Sequence, residues 1–316
     1  MLPWLEGACR GLAKRMAGGR LGHAPLIHGP RGIGKRALGD WLARLLLCSQ
    51  PDDGQPCGDC QSCRRIDSDT HPDLFVVELA EDKQSIGVDQ VRRLIEQLQL
   101  TASLGASRIG LIPHADAMNR NAANALLKTL EEPPSGAWLI LLSETPARLP
   151  ATVRSRCQQW PLRVAEPHLA ARWLEQQCSS AEAGTREAAL ELSGGAPLAA
   201  REMIASDDLA FGFELLDDLS QSRPHAQVLE RWQSHPAATW RWLARWLSII
   251  MAQLSGAGGW QPPDRALPRH IDRRRLAELW QRALEGHREA ERGVVRQDLL
   301  LGQWLLEWQA AQSARK

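Results

Sequence analysis

The sequence predicts an α/β domain built on a parallel sheet, followed by a region of helices. Three observations lead to this fold class. A glycine-rich loop, residues 29–34, lies between an apolar run and a helical segment. Further short apolar runs alternate with helical periodicity through the first half of the chain, and from Asp208 onward we find helical periodicity only. Strands that alternate with helices are expected to form a parallel sheet covered on both faces.

The individual elements follow in order along the chain. A first helix is expected around residues 12–16 and is ended by Gly18-Gly19, and residues 35–48 form the helix after the glycine-rich loop. Strands are predicted at 24–28, 74–79, 108–112 and 138–143. Apolar residues at helical spacing predict amphipathic helices between these strands: Val88, Val91, Ile95 and Leu98 in one, and Ala123, Leu126, Leu127 and Leu130 in the next. A smaller helical segment, residues 169–205, is broken at 194–197.

The C-terminal part is rich in tryptophan, with most of the 13 Trp residues lying from Trp232 onward. Apolar residues there repeat at helical spacing, and we expect these faces to form a core and a subunit interface, not surfaces that stack nucleic-acid bases. The faces are Leu243, Trp246, Leu247, Ile250 and Leu254; Leu276, Leu279, Trp280 and Ala283; and Leu301, Trp304, Leu305 and Trp308. Glycine and proline predict a loop at 255–268.

Composition narrows the classes of protein to which the chain can belong. A length of 316 residues favours two or three domains, and 44% hydrophobic with 24% charged residues is ordinary for a soluble globular protein. The net charge of +1 provides no overall basic field for nucleic acid. We find neither a signal-peptide pattern nor an apolar run of the roughly 20 residues that span a bilayer. The expected location is therefore the cytoplasm, without a membrane partner.

The glycine-rich loop matches the phosphate-binding pattern G-x-x-x-x-G-K-[ST] except at its last position. Gly29, Gly32 and Gly34 would let backbone N–H groups surround a phosphate, and Lys35 would reach the outer phosphates. The Ser or Thr hydroxyl that binds Mg²⁺ is replaced by Arg36, and a guanidinium repels a cation. The loop is therefore interpreted as the remnant of a nucleotide site, against the alternative of a glycine-rich turn without a ligand.

A second metal-binding position is also missing. An acidic pair that holds Mg²⁺ should end a later apolar strand, but the strand at 108–112 continues into Pro113-His114. Asp116 comes a few residues late and is assigned to the following turn. Because two metal-binding positions are lost together, we do not expect ATP hydrolysis. Weak nucleotide binding through Lys35 stays open.

Four of the seven cysteines predict a structural zinc site. Cys48, Cys57, Cys60 and Cys63 have the spacing C-x₈-C-x₂-C-x₂-C within a Pro/Gly/Asp-rich loop. Four thiolates complete a tetrahedral Zn²⁺ shell without an open position, which is typical of structural sites. Such a cluster suits a reducing compartment better than a disulfide framework does, and reduced cysteines without a metal are the disfavoured alternative. His71 is a candidate for an outer contact, whereas Cys9 and Cys178 are expected to pack as small apolar residues.

Two further motifs resemble those of a known family. Residues 124–134, with the sequence NALLKTLEEPP, and the triplet Ser155-Arg156-Cys157 are similar to motifs of the bacterial clamp-loader subunits, which are AAA+ proteins. The resemblance extends in order and spacing over roughly the first 200 residues. The departures at Arg36 and Pro113-His114, and Leu198 where the motor subunits have a sensor arginine, resemble the family's non-catalytic stator subunit.

The resemblance implies three domains, a set of partners and a metal. The domains would be an AAA+ α/β domain at 1–163 with a zinc module at 48–63, a small helical lid at 164–207, and an all-α collar at 208–316. The partners would be gamma/tau and delta subunits in a heteropentamer that loads the sliding clamp onto primed DNA for DNA polymerase III. Zinc would be structural, and the chain would have no ATPase activity of its own.

The resemblance also assigns a role to Arg156. A single exposed arginine is by default a surface ion-pair residue. In the Ser-Arg-Cys context of the family, Arg156 would be an arginine finger that projects toward the γ-phosphate bound by the next subunit. Arg154 lies close by, but the motif places the role on Arg156.

Two alternative functions remain. The first is an active AAA+ ATPase, which Lys35 and the glycines favour and which Arg36, Pro113 and His114 oppose. The second is a zinc-dependent DNA-binding protein, which would need a basic surface around the cysteines. Four acidic residues near the cluster oppose it: Asp52, Asp53, Asp59 and Asp67.

Overall fold

A computed structural model describes residues 1–80, 83, 85–220, 225–256, 260–262, 271–293 and 296–313. By its internal contacts the chain divides into two compact units. One consists of Met1–Trp173 with Gly194–Ala199, and the other of Leu174–Ser193 with Ala200–Lys316. Because this division groups residues by packing alone, the three-domain layout with borders at 163 and 207 stays a prediction.

The first unit contains a five-stranded sheet that is parallel, as the alternation of elements predicted, although only four of its strands were predicted from the sequence and the strand Gln158–Pro161 was missed. Its strands are β1 (Pro25–His28), β2 (Leu74–Val76), β3 (Arg108–Ile112), β4 (Ala137–Ser143) and β5 (Gln158–Pro161). They lie side by side in the order β2-β3-β4-β1-β5, and every neighbouring pair is parallel. The strand predicted at 74–79 ends early, at Val76.

The helices that cover the sheet come largely from the connections between strands. Those of the first half are α1 (Glu6–Ala17), α2 (Lys35–Leu47), α3 (Gln61–Asp67), α4 (Val88–Gln99), α5 (Arg120–Ala125), α6 (Leu127–Glu131) and α7 (Ala151–Arg154). The sequence predicted one helix across 123–130, whereas the structure has the two short helices α5 and α6, which meet at Leu126.

Both faces of the sheet are buried, which explains why its strands are apolar at consecutive positions. Leu139 and Leu141 of β4 belong to a cluster formed mainly with α4, α5 and α6, whereas Ile140 and Leu142 belong to a second cluster with α1 and α2. Successive side chains of a strand point to opposite faces, so each face of β4 receives every second residue. The prediction of a sheet covered on both faces is confirmed.

The rest of the chain is helical. The helices are α8 (Pro167–Gln177), α9 (Ala183–Leu192), α10 (Pro197–Ala205), α11 (Asp208–Ser220), α12 (His225–Ser234), α13 (Pro236–Leu254), α14 (Arg273–Arg292) and α15 (Gln297–Ser313). The predicted break at 194–197 separates α9 from α10. Most of the loop predicted at 255–268 lies outside the described residues. Among the described residues, none of the helices combines the length and apolar character that crossing a bilayer requires.

Tryptophans form much of the core of the helical unit, as their spacing predicted. Six are almost completely buried: Trp232, Trp240, Trp242, Trp246, Trp304 and Trp308. Their indole N–H groups are also satisfied, since Trp246 donates to the carbonyl oxygen of Gly212 over 2.8 Å and Trp308 to that of Leu219 over 3.1 Å. A buried indole needs such a partner. These side chains are therefore part of the core and cannot stack on bases.

Candidate functional site

The glycine-rich loop connects β1 to α2. Its three glycines have positive φ angles: 154° at Gly29, 78° at Gly32 and 96° at Gly34. Residues with a side chain rarely adopt these conformations. Lys35 begins α2, so both the loop and the lysine occupy the positions that the sequence predicted.

Lys35 donates to the loop itself. Its Nζ lies 2.9 Å from the carbonyl oxygen of Gly29 and 2.7 Å from that of Pro30, and the side chain is buried. A Glu144 carboxylate oxygen lies 3.8 Å away. Burial lowers the pKa of the Lys35 ammonium, although Glu144 and Asp116 oppose this effect. The amine that a phosphate loop would offer to a nucleotide is here a donor to the protein's own backbone.

Two other segments close over the same loop. The backbone N–H of Leu198 donates to the carbonyl oxygen of Gly32 over 3.0 Å, and the indole N–H of Trp4 donates to that of Ile33 over 2.8 Å. Together with Lys35, these groups satisfy four carbonyls of the loop. In the sequence, Leu198 was notable only as the residue in place of a sensor arginine, and neither Leu198 nor Trp4 was predicted to contact the loop. A single tryptophan before the first helix belongs to no sequence pattern that would predict a hydrogen bond to a distant loop.

Arg36 occupies the position where the magnesium-binding hydroxyl would be. Its guanidinium forms ion pairs with Asp40, at 2.8 Å, and with Glu78, at 2.5 Å. Burial tends to lower the pKa of Arg36, but these two carboxylates outweigh it and raise the pKa above its ordinary value. The residue in place of the magnesium-binding hydroxyl is therefore a guanidinium held by two carboxylates, and it has no oxygen with which to bind a cation.

Asp116 belongs to the turn after β3, as the sequence indicated. Pro113 and His114 follow the strand, and a short 3₁₀ turn at Ala115–Ala117 contains Asp116. One oxygen of its carboxylate accepts hydrogen bonds from the backbone N–H groups of Glu144, at 3.0 Å, and Thr145, at 2.7 Å. This carboxylate oxygen is used to join the turn to the segment after β4.

The four cysteines of the predicted zinc module converge. Their sulfur atoms all lie within 4.8 Å of one another, and the Sγ of Cys48 is 3.5 Å from that of Cys57 and 3.9 Å from that of Cys60. A tetrahedral zinc site with Zn–S bonds of about 2.3 Å separates its sulfurs by about 3.8 Å. The residues therefore fit a Zn²⁺ ion. Four thiolates would bind it and leave no open position, as in a structural zinc site.

Backbone N–H groups also point at the sulfurs. Those of Cys57, Cys60 and Cys63 donate to the preceding cysteine of the cluster over 3.3 to 3.5 Å. Burial raises the pKa of the Cys60 thiol, but hydrogen bonds from Cys63 and Ser49 outweigh it and lower the pKa to about 5, whereas burial raises the pKa of the Cys63 thiol to about 12. A thiolate is the form that binds metal. His71 is not one of the clustered ligands, and its Nδ1 accepts from the backbone N–H of Asp73 over 3.1 Å.

The Ser-Arg-Cys triplet follows the short helix α7. Cys157 is buried in the core, and burial raises the pKa of its thiol to about 12. The guanidinium of Arg156 is partly exposed, and it forms an ion pair with Glu131 at the end of α6. The hydroxyl of Ser155 donates to the carbonyl oxygen of Thr152 over 3.2 Å. In the triplet, the buried Cys157 therefore lies next to Arg156, whose guanidinium reaches the surface.

The family model for the delta subunit of DNA polymerase III matches residues 5–166. The chain is 39% identical to the DNA polymerase III subunit delta' of Pseudomonas aeruginosa, a match that covers 80% of this chain and 78% of that protein. It is also 34% identical to the subunit delta' of Yersinia pestis, over 98% and 96% of the two chains.

The chain belongs to the delta-prime family of DNA polymerase III subunits. A solved structure, the gamma subunit-related protein of Thermotoga maritima, matches 98% of this chain and 99% of its own with a TM-score of 0.53 and 15% identity. At that identity the likeness concerns the fold alone, and it agrees with the AAA+-like architecture. The four-cysteine cluster, the glycine-rich loop and the Ser-Arg-Cys triplet all lie in the unit that contains the sheet.

Proposed function

We propose that the chain is the stator subunit of the DNA polymerase III clamp loader and that it supplies Arg156 in trans to a neighbouring ATPase subunit without hydrolysing ATP itself. It would act with gamma/tau and delta subunits in a heteropentamer that loads the sliding clamp onto primed DNA. Family membership supports the subunit type. The single observation that carries the division of labour is Arg36, which stands in place of the magnesium-binding hydroxyl and pairs with Asp40 and Glu78.

The chain lacks a magnesium ligand that hydrolysis in cis would need. A nucleotide brings Mg²⁺, and the cation needs oxygen ligands near the β- and γ-phosphates. Here the residue in place of the ligand hydroxyl is Arg36, whose guanidinium pairs with Asp40 and Glu78 and offers no oxygen to a cation. Arg156, by contrast, keeps its charge at the surface, where a neighbouring subunit's nucleotide can approach it.

The predicted domains follow the same proposal. Residues 1–163 would form the AAA+ domain with the zinc module at 48–63, residues 164–207 the lid, and residues 208–316 the collar that joins the ring. Zinc would stabilise the loop between α2 and α3.

Reconstitution tests the proposal. The purified chain alone should show no ATP turnover above a blank, whereas a complex with gamma/tau and delta subunits should hydrolyse ATP when clamp and primed DNA are added. Arg156→Ala should lower that turnover by about 10³-fold at the site it serves, by analogy with other arginine fingers. An unimpaired Arg156→Ala complex, or turnover by the isolated chain, would refute the assignment.

The alternative of a zinc-dependent DNA-binding protein finds little support in the cluster's surroundings. Asp52, Asp53, Asp59 and Asp67 are all exposed around it. A phosphate backbone would be repelled by these carboxylates. We therefore expect the isolated chain to show no salt-sensitive binding to duplex DNA.

A further inference from the structure

The side chains of Glu131 and Arg156 meet although 25 residues separate them in the chain. Glu131 is the last residue of α6, and Arg156 lies two residues after α7. The Nε and Nη2 atoms of Arg156 both donate to the Oε1 atom of Glu131, the first over 2.8 Å. The Nη1 atom donates to the carbonyl oxygen of Thr152 over 2.9 Å. The guanidinium is thus held from two sides by groups of its own domain.

These contacts leave some N–H groups of the guanidinium free to bind another ligand. Of the five N–H bonds of an arginine side chain, one on each of the three nitrogens is engaged here. One N–H on Nη1 and one on Nη2 remain without a partner among the described residues. A pair of N–H groups on the two terminal nitrogens is suited to binding phosphate oxygens. Binding there would not require Arg156 to leave Glu131.

The pair is poorly placed to stabilise the fold. The side chain of Arg156 is 35% exposed and that of Glu131 51% exposed. Ion pairs with this exposure contribute little to folding, because water solvates both charges well in the separated state. What the pair does restrict is the position of a long and flexible side chain. Its effect should therefore appear in the function of Arg156 and not in the stability of the protein.

We propose that Glu131 is a positioning residue that fixes the Arg156 guanidinium before the neighbouring subunit's triphosphate reaches it. The inference rests on the proposed role of Arg156 in trans. An arginine already in its working position loses less conformational freedom when the γ-phosphate arrives, so more of the interaction stabilises the transition state. The carbonyl of Thr152 belongs to the backbone and survives substitution, which leaves Glu131 as the contact that a mutation can remove.

The experiment is steady-state ATPase kinetics of the reconstituted complex with clamp and primed DNA present. Glu131→Ala should lower kcat by about 10-fold, since a freed side chain samples many positions. KM for ATP should not change, because the neighbouring subunit binds the nucleotide. Glu131→Gln keeps an oxygen acceptor for Nε and should restore kcat to within about twofold of wild type. Glu132→Ala removes the adjacent exposed carboxylate and is the matched control, with unchanged kinetics expected.

A double substitution separates this inference from the proposed function. In a complex that carries Arg156→Ala, the further change Glu131→Ala should have no effect. If Arg156→Ala lowers kcat but Glu131→Ala leaves it unchanged, the positioning role of Glu131 is wrong, while the proposed role of Arg156 as an arginine finger is supported. If Glu131→Ala raises kcat, Glu131 restrains the arginine instead of presenting it. If Arg156→Ala itself has no effect, the proposed function fails, and the positioning role with it.

Discussion

The backbone N–H of Leu198 donates a hydrogen bond to the carbonyl oxygen of Gly32, over 3.0 Å. This contact attaches the first residues of α10 to the phosphate loop, and Ala199 packs directly against Gly32. A Cβ atom built on Gly32 would lie 2.4 Å from the Cβ of Ala199 and 2.5 Å from its backbone nitrogen. The start of α10 therefore packs directly on the glycine-rich loop.

Gly32→Ala should therefore destabilise the protein. The new methyl group would force the backbone of Ala199 away, and the φ of 78° is unfavourable for alanine. Overpacking of this kind costs about 1–3 kcal/mol. We expect a lower thermal unfolding midpoint. Gly7→Ala is the control, because Gly7 lies in α1 with open space around its Cβ position, and this change should leave the midpoint unchanged or raise it.

Lys35→Met should weaken the same loop by a different route. The substitution removes the donor to the carbonyls of Gly29 and Pro30 but keeps most of the side-chain volume. Gly29 is only partly buried and Pro30 is exposed, so water can replace part of what their carbonyls lose, and a cost of about 0.5–1.5 kcal/mol is expected. The free energy of unfolding in urea should fall by this amount. Lys128→Met, at an exposed lysine, should change it little.

Lys35 also permits a ligand test. If Lys35 serves the loop and not a nucleotide, millimolar MgATP should leave the thermal midpoint of the wild-type chain unchanged, because only a ligand that binds the folded state raises it. An upward shift that Lys35→Met abolishes would instead show that the loop opens to bind nucleotide.

The cysteine cluster should hold one zinc ion per chain. Cys57→Ser removes one of four thiolates and should lower the zinc content measured by plasma mass spectrometry. It should also make the 48–63 segment sensitive to protease, since the loop's order depends on the metal. Cys178→Ser lies outside the cluster and should retain the metal. Full zinc content in Cys57→Ser would contradict the four-thiolate assignment.

Cys157 should make stability depend on pH in the alkaline range. Burial raises the pKa of its thiol from 9.0 to about 12 in the folded state. Between these values the unfolded chain loses the proton that the folded chain keeps, so the free energy of unfolding should decrease as pH rises above about 9. The contribution is fully present below that pH. Urea unfolding at pH 7 and pH 10.5 should show a smaller decrease for Cys157→Ala than for wild type, and Cys178→Ala should behave as wild type does.

The parts of the fold that depend on residues close together in the sequence could be predicted. The strand, glycine loop and helix at the start of the sheet, and β3 to the residue, follow from apolar runs bounded by glycine and proline. The break between α5 and α6 was missed, because the apolar spacing at Leu126 continues through it and the turn leaves no mark in the pattern. The shortened β2 was missed for a similar reason, since Val77 and Leu79 are apolar but pack outside the strand.

The sequence by itself determined which atoms the candidate sites contain. Four cysteines in a short loop, a guanidinium in place of a hydroxyl at Arg36, and an arginine beside a buried cysteine are covalent facts that constrain the chemistry. Only the tertiary structure decided what those groups touch. Trp4 and Leu198 reach the phosphate loop from distant parts of the chain, and Glu131 reaches Arg156 across 25 residues. Contacts of this kind depend on how helices and strands pack against one another, and side-chain spacing within one element carries no record of them.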